Sequence, residues 1–123
     1  MEQPTTEAKA KTSEEIEKER REKILAGVRI ANRGVDLSEY SSASSGLYFV
    51  FRRCTRGERE VYRKLTRDDK RSDAQDSLMG CVLWPEKTDL AKVLDENPFV
   101  IEMLETAILN ASGLHLDAVV KKA

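Results

Sequence analysis

The residues of this chain best suited to chemistry are two cysteines, Cys54 and Cys81, one histidine, His115, and two acidic pairs, Asp68-Asp69 and Asp95-Glu96. Cys54 lies among Arg52, Arg53 and Arg56. Neighbouring cations favour a thiolate, so this thiol is the candidate reactive one, but the sequence places no base beside it. The cysteines are not in a Cys-x-x-Cys arrangement, and they read as reduced thiols in or near the core of a cytosolic protein, with one disulfide as the alternative. A structural zinc site normally takes four Cys or His ligands, and this chain has only three such residues, scattered along it. The acidic pairs sit where helix caps and solvated turns account for them. His115 has no nucleophile signature near it, and no Gly-rich phosphate loop, His-Glu-x-x-His or Gly-x-Ser-x-Gly run occurs. The expectation is a protein that is not an enzyme, with no catalytic residue, no metal and no cofactor.

Composition narrows the class further. A chain of 123 residues fits one modest domain. Charged residues make up 35% of it, yet 21 basic against 22 acidic side chains leave a formal charge of -1. A chain built as a whole for nucleic acid is normally clearly basic. No apolar run approaches the ~20 residues of a membrane helix. The opening Met1-Glu-Gln-Pro-Thr-Thr-Glu is polar and acidic, unlike a secretory signal.

The elements that would carry these residues can be read in order. Residues 1–12 are polar, without a hydrophobic pattern, and are expected to be a disordered tail. Thr12 and Glu15 have capping-box spacing and open a helix from about Ser13 to Ala31. That helix is dense in mixed charge, with Ile16, Ile24, Leu25, Val28 and Ala31 as a sparse stripe, and reads as solvated and held by i,i+4 pairs. Residues 13–46 thus form a charged helix and a Ser-rich linker. Residues 47–123 are expected to fold as a compact helical domain behind an entry strand.

The strand is Leu47-Tyr-Phe-Val-Phe-Arg-Arg, rich in aromatic and β-branched residues. Alternation puts Leu47, Phe49 and Phe51 on one face and Tyr48, Val50 and Arg52 on the other. Its partner is open: residues 114–120, residues 34–40, or a second subunit. After it, Thr55 and Glu58 open a helix to about Leu65, and Thr66 with Asp69 repeats the device. A helix is expected from about Asp68 to Trp84, stopped by Pro85. Short and long helices follow, over about Thr88–Leu94 and from Asn97-Pro98 to Gly113. The fold class is therefore mainly α with minor β: four to five short-to-medium helices and one or two strands.

Two surfaces could bind something. Arg56, Arg59 and Arg63 share one helical face within the basic run Arg52 to Arg71 and could track phosphates. Near-neutral charge and a single interleaved aromatic, Tyr62, favour a solvated face instead. For protein partners, Tyr48, Phe49 and Phe51 on the strand, with the N-terminal arm, are the candidate contacts.

The order of signals has a relative. A strand ending in Arg52-Arg53 is followed by Thr55-Arg-Gly-Glu58, Tyr62, Asp68-Asp-Lys-Arg-Ser-Asp-Ala74, Leu78, Cys81-Val-Leu-Trp-Pro85, Leu90, Leu94 and Asn97-Pro98. This resembles the small tail assembly chaperones of tailed bacteriophages over about residues 47–113. Cys54 stands where proline is expected, and Arg59 where tyrosine is expected. The resemblance implies a non-enzymatic protein of the host cytoplasm that binds the long, helical tape measure protein, or another tail protein, and keeps it soluble until the tail tube polymerises. It implies no residue-level site. The alternative is a small phage virion or nucleic-acid-associated protein using the basic face.

Overall fold

The computed structural model describes residues 12–42 and 46–113. His115 and the 114–120 segment lie outside them, as do residues 1–11 of the expected tail. The chain divides after Arg33 into two bodies.

The first body is helix α1, Ser13–Ala31. Its start is the capping box read from the sequence: the Thr12 hydroxyl accepts from the Glu15 N–H, and the Glu15 carboxylate accepts from the Thr12 N–H. Glu17 receives Arg20 at 2.9 Å and Arg21 at 3.2 Å, the expected neighbours on a solvated helix surface.

The second body contains strands β1 (Leu37–Ser42), β2 (Leu47–Arg52) and β3 (Val82–Trp84) and helices α2 (Arg56–Arg67), α3 (Arg71–Leu78), α4 (Lys87–Glu96) and α5 (Val100–Ala111). With α1, the described residues are mainly helical with a small antiparallel sheet. The sheet has three strands in the order β1-β2-β3, one more than the one or two expected.

The strand β1 decides among the partners left open for the entry strand: it overlaps the 34–40 alternative, so residues 34–46 are not all loop and linker. Leu37-Ser-Glu-Tyr-Ser-Ser has few strong strand formers, but it pairs residue for residue with β2, from Leu37↔Arg52 to Ser42↔Leu47. Pairing with a strongly β-forming neighbour outweighs weak local preference. Gly46, at φ 70°, supplies the left-handed turn that enters β2. The two bodies divide between Arg33 and Gly34, ahead of β1.

The second correction concerns the helix expected from Asp68 to Trp84. It stops at Leu78, tightens into a 3₁₀ turn over Met79–Cys81, and continues as β3. The residue before a proline is pushed out of the α region, and Val82-Leu83-Trp84 leads straight into Pro85. β3 then pairs with β2 through Phe51↔Val82 and Val50↔Trp84, with an irregularity in register between them. Tyr48 and Trp84 meet with ring centroids 6.0 Å apart.

The third correction is at Thr66-Asp69, which closes a helix instead of opening one. Asp69 adopts φ 61°. The Lys70 N–H reaches back to the Leu65 carbonyl at 2.8 Å and the Asp69 N–H to Thr66 at 3.2 Å. This is the Schellman closure, with aspartate in the left-handed position glycine usually fills. Thr66 lies inside α2 and donates its hydroxyl to the Tyr62 carbonyl.

Phe49 and Phe51 of β2 pack with Leu78, Met79, Cys81, Val82, Leu90, Val100, Leu104 and Ile108. Val100, Leu104 and Ile108 recur every four residues along α5, and that stripe turns inward. β2 is the central strand, bonded on both edges. Tyr48, Phe49, Val50 and Phe51 are each no more than 3% exposed.

Candidate functional site

The placement of β2 decides the fate of the strand residues proposed as partner contacts. Tyr48, Phe49 and Phe51 are 3%, 1% and 2% exposed, so they are core side chains and offer a partner no surface. The aromatic density that suggested a contact strand is explained by burial on both faces of the central strand.

Open apolar surface lies elsewhere. Helix α5 carries a second stripe one residue out of phase with its buried one: Phe99 at the N-cap, then Met103 and Ala107. A one-residue offset rotates a side chain by about 100° around the helix, away from the core-facing line. These residues, with Glu102, Thr106 and Asn110 of α5 and Tyr40 of β1, line an open groove of about 560 Å³. Phe99 is 59% exposed and Met103 44%. The floor is fixed by the sheet. Tyr40 lies opposite Phe49 in the β1–β2 register and stacks on it, centroids 6.2 Å apart at 27°. The Tyr40 hydroxyl donates to the Met103 sulfur at 3.3 Å. The Thr106 hydroxyl bonds back to the Glu102 carbonyl at 3.1 Å, so its polar atom is already satisfied within the helix. The groove thus offers apolar surface with polar groups interspersed, suited to an apolar strip of another chain. The sequence held a trace of it: Phe99, Met103 and Ala107 are four residues apart, but a second stripe on a helix already credited with one is easily absorbed into the core.

The arginines of the basic face, Arg56, Arg59 and Arg63, all lie on α2, none of whose residues is buried. Arg56 meets Glu60 at 3.5 Å, and both side chains are largely exposed. The carboxylates on the same helix offset this face locally.

A different chemistry gathers where β2, α2, β3 and the end of α5 converge. The pairing of Phe51 with Val82 brings the residues flanking those positions together. Cys81 donates its thiol to the Cys54 sulfur at 3.7 Å, and its sulfur lies 3.8 Å from Glu58 Oε1. Arg52 grips Glu58 with two nitrogens, at 2.8 and 2.7 Å. Glu58 also accepts the Thr55 N–H at 2.8 Å, completing the capping box predicted for α2. The Arg52 hydrogen bonds, aided by Thr55, pull the Glu58 carboxyl down to about 2 against the opposing effect of burial. The Cys54 N–H donates to the Ser112 hydroxyl at 2.9 Å, and that hydroxyl in turn donates to the Ile108 carbonyl at 2.8 Å. The hydrogen bond from Cys81 holds the Cys54 thiol down, to about 6, with Ser112 and Arg52 helping and burial and Glu58 opposing. Cys81, the donor of that bond and buried, is pushed up.

A buried carboxylate completes the polar interior. Glu105, 4% exposed, accepts from Tyr62 Oη at 2.6 Å, Arg71 at 3.0 Å and Gln75 at 3.1 Å. It therefore ties α2 and α3 to α5. Burial first, and the facing carboxylate second, push the Tyr62 phenol up to about 12. A glutamate between Leu104 and Ile108 on the inner side of an apolar helix was the available signal.

Among the described residues no group of three His, Cys, Asp or Glu side chains converges as a metal site, and no helix is long and apolar enough to cross a membrane. Comparison with protein-family models, curated proteins and solved structures finds no match for this chain.

Proposed function

We propose that this chain is a non-enzymatic assembly chaperone of the phage-tail type, acting in the host cytoplasm, whose groove between β1 and α5 covers apolar stretches of the tape measure protein. The observation that carries the reading is the exposure of Phe99 and Met103 beside Tyr40, on a helix whose Val100, Leu104 and Ile108 are buried in the core. A long helix with a bare apolar stripe aggregates unless a partner covers that stripe. An amphipathic helix seats in such a groove through side chains at i, i+3, i+4 and i+7. Methionine at the centre suits the task, because its flexible, polarisable side chain accommodates stripes that differ from turn to turn. The resemblance of residues 47–113 to tail assembly chaperones supports the same reading.

The test is co-expression of the full chain with a phage tape measure protein encoded beside it, followed by co-purification across a salt series. Apolar capture yields a soluble complex that persists from about 0.05 M to about 0.5 M salt, whereas phosphate-driven binding weakens steeply over that range. A tape measure protein that stays insoluble, or is soluble without the chain bound, removes the reading.

A further inference from the structure

We propose that Cys54 and Cys81 form a dithiol site for thiol–disulfide exchange, in which Cys54 attacks a low-molecular-weight disulfide and Cys81 resolves the adduct into an intramolecular Cys54–Cys81 disulfide. Three geometric observations carry this. The two sulfurs already touch at 3.7 Å through the Cys81 thiol. Forming the bond draws them to about 2.05 Å. The thiols also differ in access: Cys54 is half-buried and Cys81 fully buried, at 0% exposure, so a reagent from solvent meets Cys54 first. Third, Cys54 is fixed by its N–H bond to Ser112 Oγ at 2.9 Å and interacts electrostatically with Arg52, the arginine that also grips Glu58 at 2.7 Å. A neighbouring cation and a donated hydrogen bond both favour thiolate on Cys54, in agreement with its thiol being held down to about 6.

The sequence of steps balances. The Cys54 thiol loses its proton to solvent, and the thiolate attacks one sulfur of RSSR. The S–S bond breaks and RS⁻ departs, leaving Cys54–S–S–R. Cys81, deprotonated as its proton passes to RS⁻, attacks the Cys54 sulfur and expels a second RS⁻, which takes up a proton. The protein loses two protons and two electrons, and RSSR gains them to become two RSH. The bond would join the end of β2 to the start of β3 across the segment that carries α2 and α3, and would remove the Cys81 contact with Glu58.

The experiment incubates the full chain with glutathione disulfide and follows intact mass and alkylatable thiols. Wild type is expected to lose two hydrogens, carry no lasting glutathione, and recover both thiols with dithiothreitol. Cys81→Ser is expected to stop at a glutathione adduct on Cys54. Its reaction should run at least about tenfold faster than that of Cys81 in Cys54→Ser. The proposal is overturned if wild type keeps both thiols, if it halts at the mixed disulfide, or if Cys54→Ser reacts as fast as Cys81→Ser. Circular dichroism checks the variants, with Cys81→Ala replacing the serine if that one unfolds. If neither folds, digestion of oxidised wild type decides: a peptide pair linked through Cys54 and Cys81 supports the proposal, and unlinked or glutathione-bearing cysteines overturn it.

Discussion

Replacing Glu105 by alanine should be among the most damaging single polar substitutions in this chain, and the structure says by how much. The carboxylate accepts three hydrogen bonds at 2.6–3.1 Å while only 4% exposed. Gln75, 9% exposed, would be left with a buried amide facing no acceptor, at about 1–3 kcal/mol. The Tyr62 hydroxyl loses a charge-assisted bond, about 1 kcal/mol after partial return to water. Arg71 adds little, because its side chain is 65% exposed and rehydrates; such pairs are worth about 0–1 kcal/mol. Loss of the buried methylene adds about 0.8 kcal/mol. The sum is about 3–6 kcal/mol, or a fall of more than about 10 °C in Tm. Urea unfolding followed by fluorescence of the single tryptophan, Trp84, measures it. Glu105→Gln keeps the shape and one acceptor and should fall between Glu105→Ala and Tyr62→Phe. The Tyr62→Phe/Glu105→Ala cycle should show coupling of about 0.5–3 kcal/mol. If Glu105→Ala lies within about 0.5 kcal/mol of wild type, the carboxylate does not tie the three helices together and the reasoning is refuted.

Further outcomes follow from local geometry. Asp69→Gly should stabilise the protein by about 0.5–1 kcal/mol, since glycine adopts φ 61° without the Cβ strain; a loss of stability would show that the Asp69 side chain matters more than its backbone. Glu58 has its folded pKa depressed to about 2 from an ordinary 4.5, so the stability it contributes is present above about pH 4.5 and disappears as pH falls towards 2. In Glu58→Gln that part of the acid-unfolding curve should flatten, and an unchanged curve would exclude the Arg52 pair as its source. Tyr62 works in the opposite sense: its folded pKa is raised from 10 to about 12, so its contribution is held below about pH 10 and lost as pH rises through 12, and Tyr62→Phe should remove that alkaline decline.

Legibility followed the range of the interactions. The caps at Thr12 and Thr55 were readable because a capping box closes within four residues, and the amphipathic core stripe of α5 was readable from spacing. Thr66 and Asp69 show the weakness of the same rule, because the spacing that opens a helix also occurs across one that is ending. β1 was legible only as one of three candidate partners, because Ser38, Glu39, Ser41 and Ser42 carry little strand preference of their own and form a strand beside β2. The aromatic strand was read as a strand, as found, but its side chains are not a surface: Tyr48 and Val50 look half-exposed by alternation, yet both are buried, at 3% and 0% exposure. The groove and the cysteine pair needed tertiary structure. Tyr40 meets Met103 across 63 positions and Cys54 meets Cys81 across 27, separations that no local pattern encodes.

The central claim is that the chain binds an apolar helix through the groove of Tyr40, Phe99 and Met103. The most direct measurement is the affinity of the full chain for a soluble tape measure segment, compared for wild type, Phe99→Asp, Met103→Glu and Arg67→Glu, each checked for native circular dichroism. A central groove residue should behave as a hot spot, so Phe99→Asp and Met103→Glu should weaken binding by about 30-fold or more, the equivalent of 2 kcal/mol. Arg67→Glu, on the basic helix, should leave it nearly unchanged. Binding that survives both groove substitutions but collapses in Arg67→Glu and with added salt would contradict the account and move the function to the basic face of α2.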